Sequence, residues 1–165
     1  MSLFLQTALA LETIDIRVGG VLATVEVADT REARETGLMR RHGMDANHGM
    51  LFVFEQSDVQ SFWMKDTFIS LSIGFFDAHL QLIDVQEMAA VHSEMEIPKE
   101  TYTSAGPAII ALEMNTGWFE KKKISPKKAR LEILKMPVSA LLKSVIDKAK
   151  STSAYGKNDP EGKTK

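Results

Sequence analysis

The sequence predicts a mainly β fold, sandwich- or barrel-like and built from short strands, with one or two short helices and a C-terminal amphipathic helix. Three observations predict it. Apolar runs of strand length recur through residues 13–136, two of them alternate apolar and polar residues on either side of a Gly-Gly pair, and helical spacing of apolar residues emerges clearly only after Pro137. With 165 residues, 44% of them hydrophobic and 25% charged, the chain suits one domain. A chain this long buries roughly two-thirds of its unfolded surface and needs no disulfide or metal staple.

Residues 1–12 read in two ways. Leu3-Phe4-Leu5 leads to the small-x-small pattern Ala8-Leu9-Ala10 of a signal-peptidase site, yet the first basic residue is Arg17, so the stretch is either a signal-peptide remnant or an N-terminal arm. The expectation is a periplasmic or secreted protein, with the cytoplasm as the compartment if the arm is native. From Thr13, Ile14, Ile16 and Val18 alternate with Asp15 and Arg17, Gly19-Gly20 supplies a tight turn, and Val21 to Val27 returns with Val21, Ala23, Val25 and Val27 on one face. Asp29 and Thr30 are N-cap candidates for a short helix through Arg34 that stops near Gly37.

Further strands are expected at Met50 to Phe54, Ser61 to Met64, Ile69 to Phe76, Leu80 to Val85, Pro107 to Met114 and Leu131 to Leu134. A turn at Asp77-Ala78-His79 and a short helix over Gly117 to Lys123 separate some of them. Together residues 13–136 form one β-rich domain. In 137–150, Val138, Leu141, Leu142, Val145, Ile146 and Ala149 recur at helical spacing, an amphipathic helix that docks on the domain or makes a protein or membrane-surface contact. Residues 151–165, rich in Ser, Thr, Gly and Lys, are expected to be a disordered basic tail.

Charge and cysteine content remove whole classes of function. The chain has no cysteine, which excludes disulfide frameworks, thiolate metal sites and cysteine nucleophiles. The net charge is −2, the body is acidic and the tail basic, so nucleic-acid binding is not expected. Lys121, Lys122, Lys123, Lys127, Lys128 and Arg130 form a run without acids that would suit a phosphate or anionic-lipid patch but reads better as a solvated basic face, since no aromatic residues are interleaved for stacking bases. No P-loop, dinucleotide-binding glycine fingerprint, His-Glu-x-x-His or Gly-x-Ser-x-Gly occurs.

Three segments could carry chemistry. His42, Met44, His48 and Met50 offer the imidazole and thioether ligands that suit copper, against which stands methionine's commoner use as a core filler. In Ser61-Phe62-Trp63-Met64-Lys65-Asp66-Thr67, an apolar wall ends beside a cation, a carboxylate and a hydroxyl, the make-up of a small-ligand pocket. The same Asp66 and Thr67 would also serve simply to satisfy turn amides. Glu113 interrupts the apolar strand that runs into Asn115-Thr116-Gly117-Trp118, where a carboxylate either faces water or needs a buried partner such as Arg41 or Lys65.

Taken in order, Val25-Glu26-Val27-Ala28-Asp29-Thr30, Gly37-Leu38-Met39, Gly49-Met50-Leu51-Phe52-Val53-Phe54, Phe62-Trp63-Met64-Lys65-Asp66-Thr67 and Leu112-Glu113-Met114-Asn115-Thr116-Gly117-Trp118 resemble the bacterial and archaeal family called domain of unknown function 192, over about residues 13–136. The resemblance implies a compact β-rich fold and, because many bacterial members carry signal peptides, export. It implies no established activity. Where the family reads Ile-Pro-Leu-Asp-Ile, this chain has Ile69-Ser70-Leu71-Ser72-Ile73, without the proline or the acid.

The functional expectation is a non-catalytic module that binds a small polar or carbohydrate-like ligand, with Arg41, Trp63, Lys65, Asp66 and Glu113 around one pocket and no cofactor. Two alternatives stand beside it. One is an enzyme using Asp66 or Glu113 as base with Lys65 as electrostatic partner, and the other a copper-binding protein using His42, Met44, His48 and Met50.

Overall fold

A computed structural model describes residues 10–155. The apolar stretch Leu3 to Leu5, the signal-like pattern before Ala10 and the tail 156–165 lie outside the described residues. The first hairpin is β1 (Thr13–Val18) and β2 (Val21–Ala28), joined through Gly19 and Gly20 with φ of 55° and 87°. Positive φ at both turn positions is what the Gly-Gly pair supplies without a Cβ penalty. Helix α1 (Arg31–Thr36) starts where the Thr30 side chain accepts a hydrogen bond from the Ala33 amide at 3.2 Å, and it ends at Gly37, φ 49°.

The remaining elements are β3 (His48–Asp58), β4 (Ser61–Phe62), β5 (Leu71–Phe76), β6 (Leu82–Met88), β7 (Tyr102–Thr103), β8 (Ala108–Asn115), α2 (Trp118–Lys121), β9 (Leu131–Ile133) and α3 (Ala140–Tyr155). Seven strands form one sheet in the order β6-β5-β8-β3-β2-β1-β9, while β4 and β7 pair separately. Neighbours in the large sheet are antiparallel except β2 and β3, which run parallel because α1 carries the chain back across the sheet. The two ends of the sheet approach each other: Gln81 bridges Arg130, and the Leu82 amide donates to the Ala129 carbonyl at 2.9 Å. The sheet is therefore curled into a half-barrel rather than stacked as a sandwich.

Alternation along the strands divides the apolar residues between two cores. One set, including Ile16, Val25, Leu51, Ile110, Leu112 and Phe119, fills the concave side, and the α3 residues Leu142, Val145, Ile146 and Ala149 pack into the same cluster. The apolar face of the C-terminal helix thus docks on the domain. Ser139 caps α3 by accepting from the Leu142 amide, and Glu12 accepts from the Val138 and Ser139 amides, tying the helix start to the beginning of the domain. The second set, on the convex side, includes Met50, Phe52, Ile73, Phe75 and Ala111, covered by Leu38, Met64 and Val91. Each large side chain buried in either core contributes about 1.5–3 kcal/mol relative to exposure.

Several boundaries differ from those read off the sequence. Helix α3 begins at Ala140 and runs to Tyr155, so residues 151–155 are helical rather than part of a disordered tail. Strand β6 starts at Leu82 because Leu80, φ 61°, belongs to the turn in which Asp77 accepts from the His79 and Gln81 amides. Strand β3 continues through its polar half to Asp58 beside β8, with an irregularity in register between Val53 and Asp58. Trp118 anchors the turn after β8: it is buried, its indole N–H donates to Asn47 Oδ1 at 3.1 Å, and its ring meets Phe119 edge-on at 5.1 Å.

Candidate functional site

Glu113 is the residue on which the site is built. In β8 it lies between Met50 of β3 and Ile73 of β5, both members of the convex-side core, so its side chain enters an apolar layer. The residue is 5% exposed, and among the described residues burial alone, with no hydrogen bond, acts on its carboxyl. Every fully enclosed side-chain oxygen and nitrogen described does have a partner. The Glu113 carboxyl therefore reaches a surface, and that surface is the wall of a cleft of about 300 Å³. Burial pushes its pKa from 4.5 up to about 8, which keeps the acid protonated at neutral pH, able both to donate and to accept a hydrogen bond.

Aromatic side chains line the same cleft as this acid. Phe62, from the short β4, meets the rings of Phe52 and Phe54 nearly perpendicularly at 5.0 and 6.2 Å, and Phe75 at 5.8 Å. Trp63 follows on the cleft edge, 56% exposed, with Lys65 Nζ 5.5 Å from its ring centre. Thr67 also lines the cleft, its hydroxyl donating to the Lys65 carbonyl at 3.0 Å and keeping an acceptor lone pair. From α1 comes Arg34, which lies 5.5 Å from the Phe54 ring centre and donates through Nη1 to the carbonyls of Asp29 and Val53 at 2.8 and 2.9 Å. Arg31 and Glu35, also at the wall, pair with each other at 2.7 Å.

The two segments that frame the cleft are held in unusual backbone conformations. Arg40 and Asp66 have φ of 61° and 51°, and the Arg40 amide donates to the Asp66 carbonyl at 2.7 Å. Non-glycine residues reach this left-handed region at a cost, and such residues cluster at functional sites.

Of the five residues read as one pocket, the structure brings Trp63 and Glu113 to the cleft and sets the other three apart. Arg41 pairs with Glu26 through both guanidinium arms, at 2.5 and 2.7 Å, instead of with Glu113. That pair holds Glu26 below the usual carboxylate range. Lys65 lies over the Trp63 ring and is not in the wall, and Asp66, though buried, is not part of it either. Since the Glu26–Arg41 pair is half-buried, Arg41→Ala is expected to lower stability by about 1 kcal/mol at neutral pH. The difference should shrink as acid protonates Glu26, because a lowered native pKa stabilises only above it; urea unfolding at neutral and acid pH measures both.

The four candidate copper ligands have four different surroundings. His42 stacks on Phe68 at 5.2 Å, Met44 packs against the convex-side core, Met50 is fully buried in it, and His48 is exposed at the start of β3. Among the described residues no group of three His, Asp or Glu side chains is placed to hold a metal ion. At Ser72, where the family pattern has an acid, Glu87 faces it across β5 and β6; Ser72 Oγ donates to Glu87 Oε1, and both accept from the Gly117 amide. The carboxylate comes from the neighbouring strand.

The pocket segment read from the sequence contains Phe62 and Thr67, but Arg34, Phe52 and Phe54 are not legible as its partners, because Arg34 comes from α1 and the two Phe residues from β3, and only the tertiary fold sets them beside that segment.

Comparison with known proteins agrees with this architecture. The family model DUF192, described as an uncharacterized ACR, matches residues 14–132. A crystal structure of a protein from Sinorhizobium meliloti 1021, provisionally named a transcription regulator, is similar with a TM-score of 0.67 and 31% identity, covering 76% of this chain and 96% of that one. A protein of unknown function from Novosphingobium aromaticivorans DSM 12444 has the same fold, with a TM-score of 0.67 at 24% identity over 77% of this chain and 89% of its own. No curated protein matches the sequence.

Proposed function

The chain belongs to the DUF192 family, and we propose that it is a non-catalytic binding protein whose convex-side cleft takes a small polar molecule. One observation carries this reading: a buried carboxyl without a hydrogen-bond partner among the described residues sits in the wall of an aromatic cleft. That carboxyl opens on the cleft, so a ligand seated there can take the place of water on it and hydrogen-bond to it away from bulk solvent. The rest of the wall suits the task, because Phe52, Phe54, Phe62 and Trp63 offer apolar faces while Thr67 and Arg34 add a few fixed polar groups.

A binding role is favoured over an acid–base enzyme because neither Lys65 nor Asp66 lines the cleft with Glu113. The apolar stretch that leads to Ala8-Leu9-Ala10 supports an exported or periplasmic setting, which fractionation of cells expressing the full-length gene product tests.

A thermal-shift screen of small polar compounds tests the cleft. Any ligand that prefers the native state raises the melting temperature, so at least one compound class should do so with the wild type. Trp63→Ala should keep the unliganded melting temperature within a few degrees, since that ring is half exposed, and should lose most of the ligand-induced shift. A screen that stays silent, or a shift unaffected by Trp63→Ala, counts against the cleft.

A further inference from the structure

The cleft's charge and hydrogen-bonding groups narrow the ligand class. Arg31 and Glu35 neutralise each other at the wall. Arg34 forms no salt bridge among the described residues; it donates to two backbone carbonyls, both through Nη1, which leaves its Nε and Nη2 groups as donors. Glu113 is desolvated by apolar neighbours and adds no charge while protonated. The wall therefore carries one uncompensated positive charge and a carboxyl that can donate, beside a set of aromatic rings.

That combination disfavours two ligand classes. A cation would meet the uncompensated guanidinium. A neutral sugar would leave that guanidinium without a counter-charge.

Resting on the ligand-cleft reading above, we infer that the ligand is a small carboxylate with a compact apolar body, its anionic head taking hydrogen bonds from Arg34 and Glu113 and its body lying against Phe52, Phe62 and Trp63. A guanidinium donates to carboxylate oxygens in matched geometry, and a protonated carboxyl shares its hydrogen with an anion in a short, charge-assisted bond. Binding of this kind needs Glu113 protonated. Once that group ionises, two carboxylates face each other and affinity falls.

The test titrates the full chain with benzoate, benzyl alcohol, benzylamine and glucose, following tryptophan fluorescence and melting temperature. Near neutral pH, benzoate is expected to bind at least about tenfold more tightly than the other three. Between about pH 6.5 and about pH 9.5 its affinity for the wild type should drop about tenfold or more, and for Glu113→Gln less than about twofold. Arg34→Gln should weaken benzoate about tenfold. Because Arg34 also holds the Asp29 and Val53 carbonyls, that variant could fail to fold, and the Glu113→Gln comparison then decides by itself.

Tighter binding of benzylamine, benzyl alcohol or glucose overturns the carboxylate class while leaving the cleft in place. Benzoate affinity with the same pH profile in wild type and Glu113→Gln overturns the role given to Glu113. Silence from all four probes overturns the carboxylate class, and the cleft itself falls only if the wider thermal-shift screen is silent too.

Discussion

Raising the pH from about 4 to about 9 is expected to cost the native protein about 4 kcal/mol through Glu113 alone, and Glu113→Gln to abolish that loss. Burial has raised this carboxyl from 4.5 to about 8, the reverse of the usual behaviour of a surface acid. Between those two values the folded protein holds a proton that the unfolded chain has released. Stability from this group is complete below about pH 4.5, declines as the pH rises towards 8, and is flat beyond. Glutamine keeps the shape and the hydrogen-bonding ability of the protonated acid but cannot ionise. Urea unfolding across this range, compared between wild type and Glu113→Gln, isolates the effect from the opposite contribution of Glu26, whose lowered pKa acts at the acid end. Equal slopes in the two proteins would show that Glu113 is solvated and charged at neutral pH.

The second large effect is expected at Gly49. This glycine faces Met114 where β3 meets β8, and a Cβ there would fall inside contact distance of the Glu113 carbonyl oxygen and Met114 Sδ. The oxygen belongs to the backbone of a central strand and cannot swing aside, so the two strands must separate. Gly49→Ala is therefore expected to destabilise the fold by about 3 kcal/mol, the upper part of the range for overpacking a core. Gly43 is the control, since nothing lies within 4 Å of its added Cβ, and Gly43→Ala should stay within about 0.5 kcal/mol of wild type. Because the clash involves Glu113 itself, any Gly49→Ala protein that folds should also show a shifted Glu113 titration. A stability within about 1 kcal/mol of wild type would mean that β3 and β8 leave room for a methyl group at Gly49.

Much of the fold is legible in the sequence because local rules set it. Alternation around Gly19-Gly20 marks β1 and β2, Thr30 and Gly37 bracket α1, and the spacing of Leu142, Val145, Ile146 and Ala149 gives the buried face of α3. The parallel pairing of β2 with β3 is not local, and neither is β7, whose two residues become a strand only by pairing with β4. Alternation predicts curved or stacked β layers without distinguishing them; the bridge from Gln81 to Arg130, which curls the sheet, joins residues far apart in the chain.

The site divides along the same line. Glu113 and Trp63 stand out in the sequence as an acid in an apolar strand and a large aromatic residue next to polar ones. Arg41 cannot be assigned from sequence, because its partner Glu26 is chosen by how the loop after α1 crosses β2. Arg34 looks like an ordinary helix residue until its guanidinium is seen beside Phe54. Lys65 and Asp66 are neighbours of the cleft in sequence, but neither lies in its wall: Lys65 Nζ sits over the Trp63 ring, and Asp66 is in a left-handed turn.

The most direct test is a carbon-13 NMR titration of the Glu113 side-chain carboxyl, assigned by its disappearance in Glu113→Gln. The account predicts a single carboxyl titrating near pH 8, with its midpoint moved when benzoate or a screened ligand occupies the cleft. A midpoint near the ordinary value of 4.5, unmoved by any ligand that raises the melting temperature, would contradict it.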